Sequence, residues 1–393
     1  MKRGTKLFFI ALCLLTALGS GLLASDKPTF DLKWYGYFKL DGAYDQNLTS
    51  HGNFVMWVQP RTHDGDDAQF NMTANETRFG LNLTGNGYNN VKVGAKLEFD
   101  LYASITGSTI AENKAMLQLR HAYFTIESGH FKMLAGQSWD LVSPLNPSTL
   151  NYAVLWGAGN IGYRRPQVSL WYNFKAGEKT ELSLASGVFR NIGNDLTPTF
   201  TLSTGETTEG ADDGTDAAIP TVQGLFECRH NLASGGSIRA GVSGLWGELK
   251  AETTQGRTDK YHAQAIAAHL MVAPTTTYGF SGECYSGTNL GSYFGSILRN
   301  SEIEGLNSVG GWVSGWVQPT GKVQLSAGYG MDNPDDQDFT TGRSDNSCVY
   351  GNIRYAIIPQ ATIGFELSQW RTGYKNAETA KDLRAQSSII LNF

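Results

Sequence analysis

Val91-Lys92-Val93-Gly94-Ala95-Lys96-Leu97-Glu98-Phe99-Asp100 sets Val, Val, Ala, Leu and Phe at every second position, with Lys, Gly, Lys, Glu and Asp between them. Successive side chains of a β-strand point to opposite faces, so this segment has one oily wall and one wet wall. Stretches of about 9–13 residues with the same alternation recur along the whole chain. Strands of soluble sandwiches average about five or six residues, and these are about twice as long, the length of tilted strands crossing a bilayer.

The connections alternate between short and long. Turn-like segments fall at 85–90, 128–129, 175–179, 231–236, around Pro274, at 319–321 and around Pro359. Long polar segments fall between them, at about 45–74, 103–114, 138–165, 191–220, 251–259, 287–307, 332–347 and 373–382. Seven turns and eight loops predict an all-β transmembrane antiparallel barrel of about 16 strands, with short periplasmic turns and long external loops, in the porin size range that leaves a water-filled lumen. Closure is obligatory, because hydrocarbon offers no partner to the backbone groups of an open sheet edge. In the segment 383–393, Ser387, Ile389, Leu391 and Phe393 share one face, and a terminal aromatic in phase with that face resembles the C-terminal signal of bacterial outer-membrane proteins. Trp34-Tyr35, Trp171-Tyr172, Trp246, Trp312, Trp316 and Trp370 sit at strand ends, where an interfacial aromatic belt is expected.

Composition agrees. The 393 residues include 46 Gly, 9 Trp, 17 Tyr and 19 Phe with only 17% charged side chains, against roughly 25% charged in average soluble domains. Disorder and coiled coil are thereby disfavoured. The net charge is −5, and removing a leader that holds Lys2, Arg3 and Lys6 leaves 28 cationic against 36 anionic side chains, or −8. So acidic a chain is a poor partner for a phosphate backbone, and no nucleic acid is expected. Residues 1–24 read as a secretory signal peptide, with a basic start, an apolar run from Leu7 to Leu18 and small residues near Ala24 and Ser25, leaving 25–393 as the barrel domain. Cys228, Cys284 and Cys348 stand alone in strand-like stretches, which suggests neither a disulfide framework nor a metal clip; no cofactor and no metal are expected.

The segment 138–165 is unusually apolar for a solvated loop, carrying Leu145, Leu150, Tyr152, Val154, Leu155 and Trp156. It is the third external loop, the one that in general porins folds into the lumen and narrows it, and the same placement is expected here. Counting by twos from the apolar faces selects Lys39, Arg78, Lys96, Arg120 and Arg354 as inward cations, with Asp41, Glu98 and Asp100 nearby; Asp140 opens the loop, and Arg164 and Arg165 stand where it rejoins the wall. Cations beside a narrow, low-dielectric aperture concentrate anions and orient carboxylates through the guanidinium fork. Lys39, Arg78, Lys96, Glu98, Arg120, Asp140, Arg164, Arg165 and Arg354 are therefore the candidate pore-lining and constriction residues.

Four motifs in order, Gly36-Tyr37-Phe38-Lys39-Leu40-Asp41-Gly42-Ala43-Tyr44-Asp45, Glu76-Thr77-Arg78-Phe79-Gly80, Leu119-Arg120-His121-Ala122-Tyr123 and Leu134-Ala135-Gly136-Gln137-Ser138-Trp139, resemble the DcaP-like porins. The resemblance covers the first third of the chain in detail and the remainder in strand rhythm. It implies a homotrimeric sixteen-stranded channel in the outer membrane of a diderm bacterium, embedded among lipid and lipopolysaccharide, passing small hydrophilic solutes and favouring dicarboxylates, with Arg78, Arg120 and the third loop forming the eyelet. Some members carry a coiled-coil extension before the barrel. About five residues separate the expected cleavage point from the first strand here, so trimerisation would rest on the barrel walls.

Two other classes compete. An outer-membrane enzyme needs a nucleophile and base on the wall, and none of the seven His falls in a nucleophile motif. An adhesin or structural barrel would act through its long loops, and the acidic 191–220 stretch is the candidate. Asp212-Asp213-Gly214-Thr215-Asp216 and Asp332-Asn333-Pro334-Asp335-Asp336 have oxygens enough for a hard cation but not the EF-hand spacing.

Overall fold

The computed structural model describes residues 30–61, 67–86, 91–103, 115–192, 213–252, 256, 258–299 and 305–393. The leader at 1–24, most of the second loop and most of the 191–220 stretch lie outside them. Among the described residues nineteen strands follow in chain order: β1 (Phe30–Asp45), β2 (Thr49–His51), β3 (Phe54–Val58), β4 (Gln69–Thr73), β5 (Arg78–Asn86), β6 (Lys92–Ala103), β7 (Met116–Ser128), β8 (Phe131–Trp139), β9 (Arg164–Lys175), β10 (Thr180–Phe189), β11 (Thr221–Asn231), β12 (Ser237–Glu252), β13 (Thr258–Ala273), β14 (Tyr278–Thr288), β15 (Asn307–Thr320), β16 (Val323–Pro334), β17 (Gly342–Ile358), β18 (Ala361–Lys375) and β19 (Ala377–Asn392).

Each barrel strand pairs antiparallel with the next, and the sheet closes on itself where Tyr37 faces Asn392 and Asp45 faces Arg384. β4 and β5 lie end to end on β1, which makes one wall of two strands and a closed barrel of sixteen. β2 and β3 form a hairpin of their own within the first loop.

Alternation decides which side is wet. On β18, Ile363, Phe365 and Leu367 are exposed on the outside, while Glu366, Ser368 and Trp370 are buried inside. The outer face continues through Leu97, Leu184, Phe226, Ile266 and Ile389, a belt of exposed apolar side chains that no water-soluble surface of this extent would carry. In hydrocarbon the same belt is matched to its solvent. Trp312 and Trp370 do not belong to it, contrary to the expected belt: both are buried toward the lumen and pack with Leu145, Leu155 and Tyr350. Val313 beside Trp312, and Leu367 three residues before Trp370, are exposed on the outer face with the opposite parity, which is what turns the two indoles in.

Six of the seven expected turns separate the strands, the one at 85–90 falls largely outside the described residues, and two expected loops shrink. β12 and β13 stay paired out to Glu252 and Thr258, leaving only 253–257 where 251–259 was expected. In place of a loop at 373–382, β18 and β19 remain paired out to Tyr374 and Ala377, and Asn376 turns the chain alone with φ 62°, a left-handed conformation Asn tolerates. Strands standing above the membrane need no apolar face, so their polar residues read as loop.

Candidate functional site

The third loop, 140–163, lies inside the barrel. Leu141 packs with Ala185, Phe189 and Leu225; Val142 and Ile161 with Leu249 and Tyr285; Leu145 and Leu155 with Trp312 and Trp370. At Gly159 (φ 104°) the chain comes so close to β15 that a Cβ would lie 2.1 Å from the Gly311 carbonyl oxygen, and a Cβ on Gly330 would lie 2.2 Å from that of Ala158. Glycine on both sides admits the contact.

A backbone folded into a lumen must find partners for its N–H groups. The walls supply them. Gln223 accepts from Leu141 N (2.8 Å) and Val142 N (3.3 Å). Glu283 accepts from Leu145 N (2.7 Å), the Ser143 hydroxyl and Trp312 Nε1 (3.2 Å). Glu366 accepts from Leu150 N (2.6 Å) and Asn151 N (3.4 Å). Asn346 donates to the Gly157 carbonyl (2.7 Å). The sixth loop also turns inward: Gly157 N and Gly162 N donate to the Phe294 and Tyr293 carbonyls at 2.9 and 2.8 Å, and the Phe294 ring stacks on Trp156 at 4.6 Å. Sequence reading missed these anchors, although Glu283 and Glu366 have inward parity and an acid facing an incoming loop is an acceptor available to it.

Four of the nine expected constriction residues bind the loop instead of lining an opening. Arg354 donates to Ser148 Oγ and to the Thr149 carbonyl, both at 2.7 Å. Lys39 donates to the Leu150 carbonyl (3.1 Å) and pairs with Glu76 and Asp41 (3.3 Å). Asp140 and Arg165 form an ion pair at 3.0 Å, sealed from solvent. Lys39 and Arg354 have the inward parity expected of them, and Asp140 and Arg165 stand at the two ends of the loop as expected, but the lumen around all four is filled by loop.

Arg78, Lys96, Glu98 and Arg120 line a cavity of about 360 Å³ between the β1–β7 wall and residues 149–156 of the loop. A bulge shapes it. Glu98 pairs with His121 while Phe99 pairs with Leu119, so Arg120 is the extra residue and both it and His121 turn inward. Arg120 donates to Glu98 (2.7 Å), Asp100 (2.6 Å) and the Tyr152 hydroxyl (3.2 Å). Burial, with the Asp100 carboxylate next in effect, pushes the Tyr152 phenol above its ordinary pKa, so it stays a donor to Asp100 at 3.0 Å. Arg78 and Lys96 are less committed: they stand 3.7 and 3.5 Å from Glu98, partly exposed, over the rings of Tyr37 and Tyr35. Arg164 lies behind Trp139, buried, its guanidinium 4.8 Å from that ring and 4.5 Å from Tyr163, with no hydrogen-bond partner among the described residues. Among the charged side chains that line the cavity, three cations (Arg78, Lys96, Arg120) face two carboxylates (Glu76, Glu98), and 3 − 2 leaves one surplus positive charge on its lining.

No protein-family profile matches the sequence, and no curated protein does. Solved structures match the fold over nearly the whole chain. The outer membrane channel DcaP of Acinetobacter baumannii superposes with a TM-score of 0.72 at 20% identity, covering 95% of this chain and 99% of that one. The anion-selective porin from Comamonas acidovorans gives 0.56 at 10%, covering 93% and 100%. The trimer form of OmpT, an outer membrane protein of Vibrio cholerae, gives 0.54 at 12%, covering 94% and 100%. The chain has the fold of the outer-membrane porins.

Proposed function

We propose that this chain, exported by its 1–24 leader, is a passive outer-membrane channel for small hydrophilic solutes that favours anions, dicarboxylates among them. The observation that carries the reading is the cavity beside the third loop, where Arg78 and Lys96 keep donor capacity in hand and the lining holds a surplus positive charge. In a narrow passage walled by low-dielectric protein, one fixed charge biases ion occupancy strongly. A carboxylate entering there meets a guanidinium and an ammonium already desolvated in part, and a second carboxylate on the same solute can meet the other. The channel names of two matched structures agree with this use of the fold. The trimer form of a third supports assembly as a homotrimer through the apolar outer walls, with lipopolysaccharide around the external rim.

The test is planar-bilayer recording of the purified protein. Under a KCl gradient the reversal potential takes the sign of chloride preference, succinate produces a concentration-dependent block, and Arg78→Ala weakens both. Potassium preference that Arg78→Ala leaves unchanged would sink the anion reading; silent membranes from folded barrels would turn attention to the long loops as an adhesive surface.

A further inference from the structure

Within residues 294–298 of the sixth loop, four that are not glycine stand in the left-handed region: Phe294 (φ 62°), Ser296 (φ 52°), Ile297 (φ 49°) and Leu298 (φ 58°). The last three form one tight turn, closed by Leu298 N on the Gly295 carbonyl (2.8 Å) and by Arg299 N on that of Ser296 (3.1 Å). L-residues disfavour this region, and a β-branched one such as Ile297 stands in it only under constraint. The constraint is visible. Ile297 N donates to Asp332 Oδ2 on β16 (3.0 Å), its carbonyl accepts from Arg343 Nε and Nη2 on β17 (3.2 and 2.9 Å), and its side chain is fully buried. The Ser296 hydroxyl oxygen lies 2.9 Å from that of Ser308 on β15. Three wall strands thus grip two consecutive residues. Asp332, whose acidic stretch has oxygens enough for a hard cation, turns its carboxylate inward onto this loop instead.

On its other side the same segment holds the third loop. Arg165 Nη2 donates to the Ser292 carbonyl (3.0 Å), and its guanidinium stands 3.9 Å from the Tyr293 ring centroid. The Tyr293 and Phe294 carbonyls accept from Gly162 N and Gly157 N, and the Phe294 ring covers Trp156. Strained backbone held by a few discrete contacts is how switch regions are built. We propose that the sixth loop is a latched gate. Seated by Asp332 and Arg343, it presses the third loop into the lumen. Released, the turn relaxes to an extended backbone, Tyr293 and Phe294 leave residues 156–162, and the passage widens to admit larger solutes. The inference rests on reading the chain as an open channel, and adds to it a size threshold that moves. The latch shares no residue with the Arg78 and Lys96 cavity, so gating and charge selection are separable.

Single-channel recording of the full-length protein tests this. Arg343→Met, which removes both donors to the Ile297 carbonyl, is expected to raise the time spent in a larger conductance level about tenfold. Strain is read by Ser296→Gly against Ser296→Ala, which lose the same hydroxyl. Glycine enters the left-handed region freely, so the glycine variant should occupy the larger level about fivefold less than the alanine one; at an unstrained position the order reverses. A covalent lock reads the motion itself. Ser296→Cys with Ser308→Cys, on a background of Cys228→Ala, Cys284→Ala and Cys348→Ala, sets two thiols where the hydroxyls now meet. Oxidation is expected to abolish the larger level and dithiothreitol to restore it. Should the lock variant fail to insert as a heat-modifiable barrel, the Ser296→Gly and Ser296→Ala pair decides alone. A larger level that persists in the oxidised channel, a glycine variant that opens more than the alanine one, or a single level in every variant overturns the proposal while the chain still conducts. Silent membranes from folded wild-type barrels overturn the channel reading, and the gate with it.

Discussion

Arg165 lies 3.0 Å from an Asp140 carboxylate oxygen with both side chains closed to solvent, so the residue that begins the third loop and the residue just beyond its end are tied by one ion pair. The neighbouring Arg164 is as deeply buried and has no hydrogen-bond partner among the described residues. Removing one member of a buried pair strands the other charge, at about 3–5 kcal/mol. Arg165→Met is therefore expected to lower the temperature at which the detergent-solubilised barrel loses heat-modifiable mobility. Arg164→Met, which removes an uncompensated charge and keeps the bulk, leaves that temperature unchanged or raises it. Equal losses in the two variants would contradict this assignment of roles.

Glu283 and Glu366 serve the loop backbone as acceptors. Substituting alanine leaves buried N–H groups unpaired, at about 1–3 kcal/mol each. Glu283→Ala and Glu366→Ala should each give noisier single-channel currents with larger conductance excursions, and the double substitution more than either. Quiet, wild-type currents from the double variant would mean that apolar packing alone holds the loop.

Gly330 faces the Ala158 carbonyl across a gap too small for a methyl group. Gly330→Ala must push the loop away from β16 and toward the cavity opposite. A reduced conductance with unchanged barrel stability is the expected result; an increase would mean the loop leaves the lumen altogether.

Leu367 and Ser368 are adjacent mid-strand residues with opposite exposure. An arginine on the lipid face near the bilayer midplane costs about 2–4 kcal/mol. Leu367→Arg should thus depress insertion yield, whereas Ser387→Thr, a mild change on the outer face of β19, should not. Comparable yields from both would displace the membrane from this belt.

The barrel was legible in the sequence because period-two alternation is a direct consequence of the pleat, and Val91–Asp100 states it without ambiguity. Arg78, Lys96, Glu98 and Arg120 could be placed at the lumen by the same count. The count failed where another rule took over. Trp312 and Trp370 were assigned by position along the strand when parity should have decided. Arg354 and Lys39 read as lining an aperture beside the third loop, because a strand pattern says which way a side chain points but not how much of the space it enters is filled. The inward turn of His121 beside Arg120 depends on a bulge, which alternation on one strand does not announce. The sixth loop's descent onto Trp156 is announced by no apolar run like Ala153–Trp156, its Leu290, Tyr293, Phe294, Ile297, Leu298, Ile303 and Leu306 being spread singly or in pairs among polar residues and Gly.

The seam between β1 and β19 joins residues about 350 positions apart, while every other neighbouring pair in the barrel wall is also adjacent in the chain or separated by one loop. Bringing such distant ends together in a flexible chain costs about 5 kcal/mol of entropy, and almost none once fifteen hairpin steps have already curled the ladder round. Loop-closure entropy thus favours making this seam last, and until Tyr37 meets Asn392 two unpaired edges stand open. Open strand edges invite pairing with other chains, so such a chain is safest closed where lipid is waiting, and the step most exposed to aggregation is the one that completes the barrel.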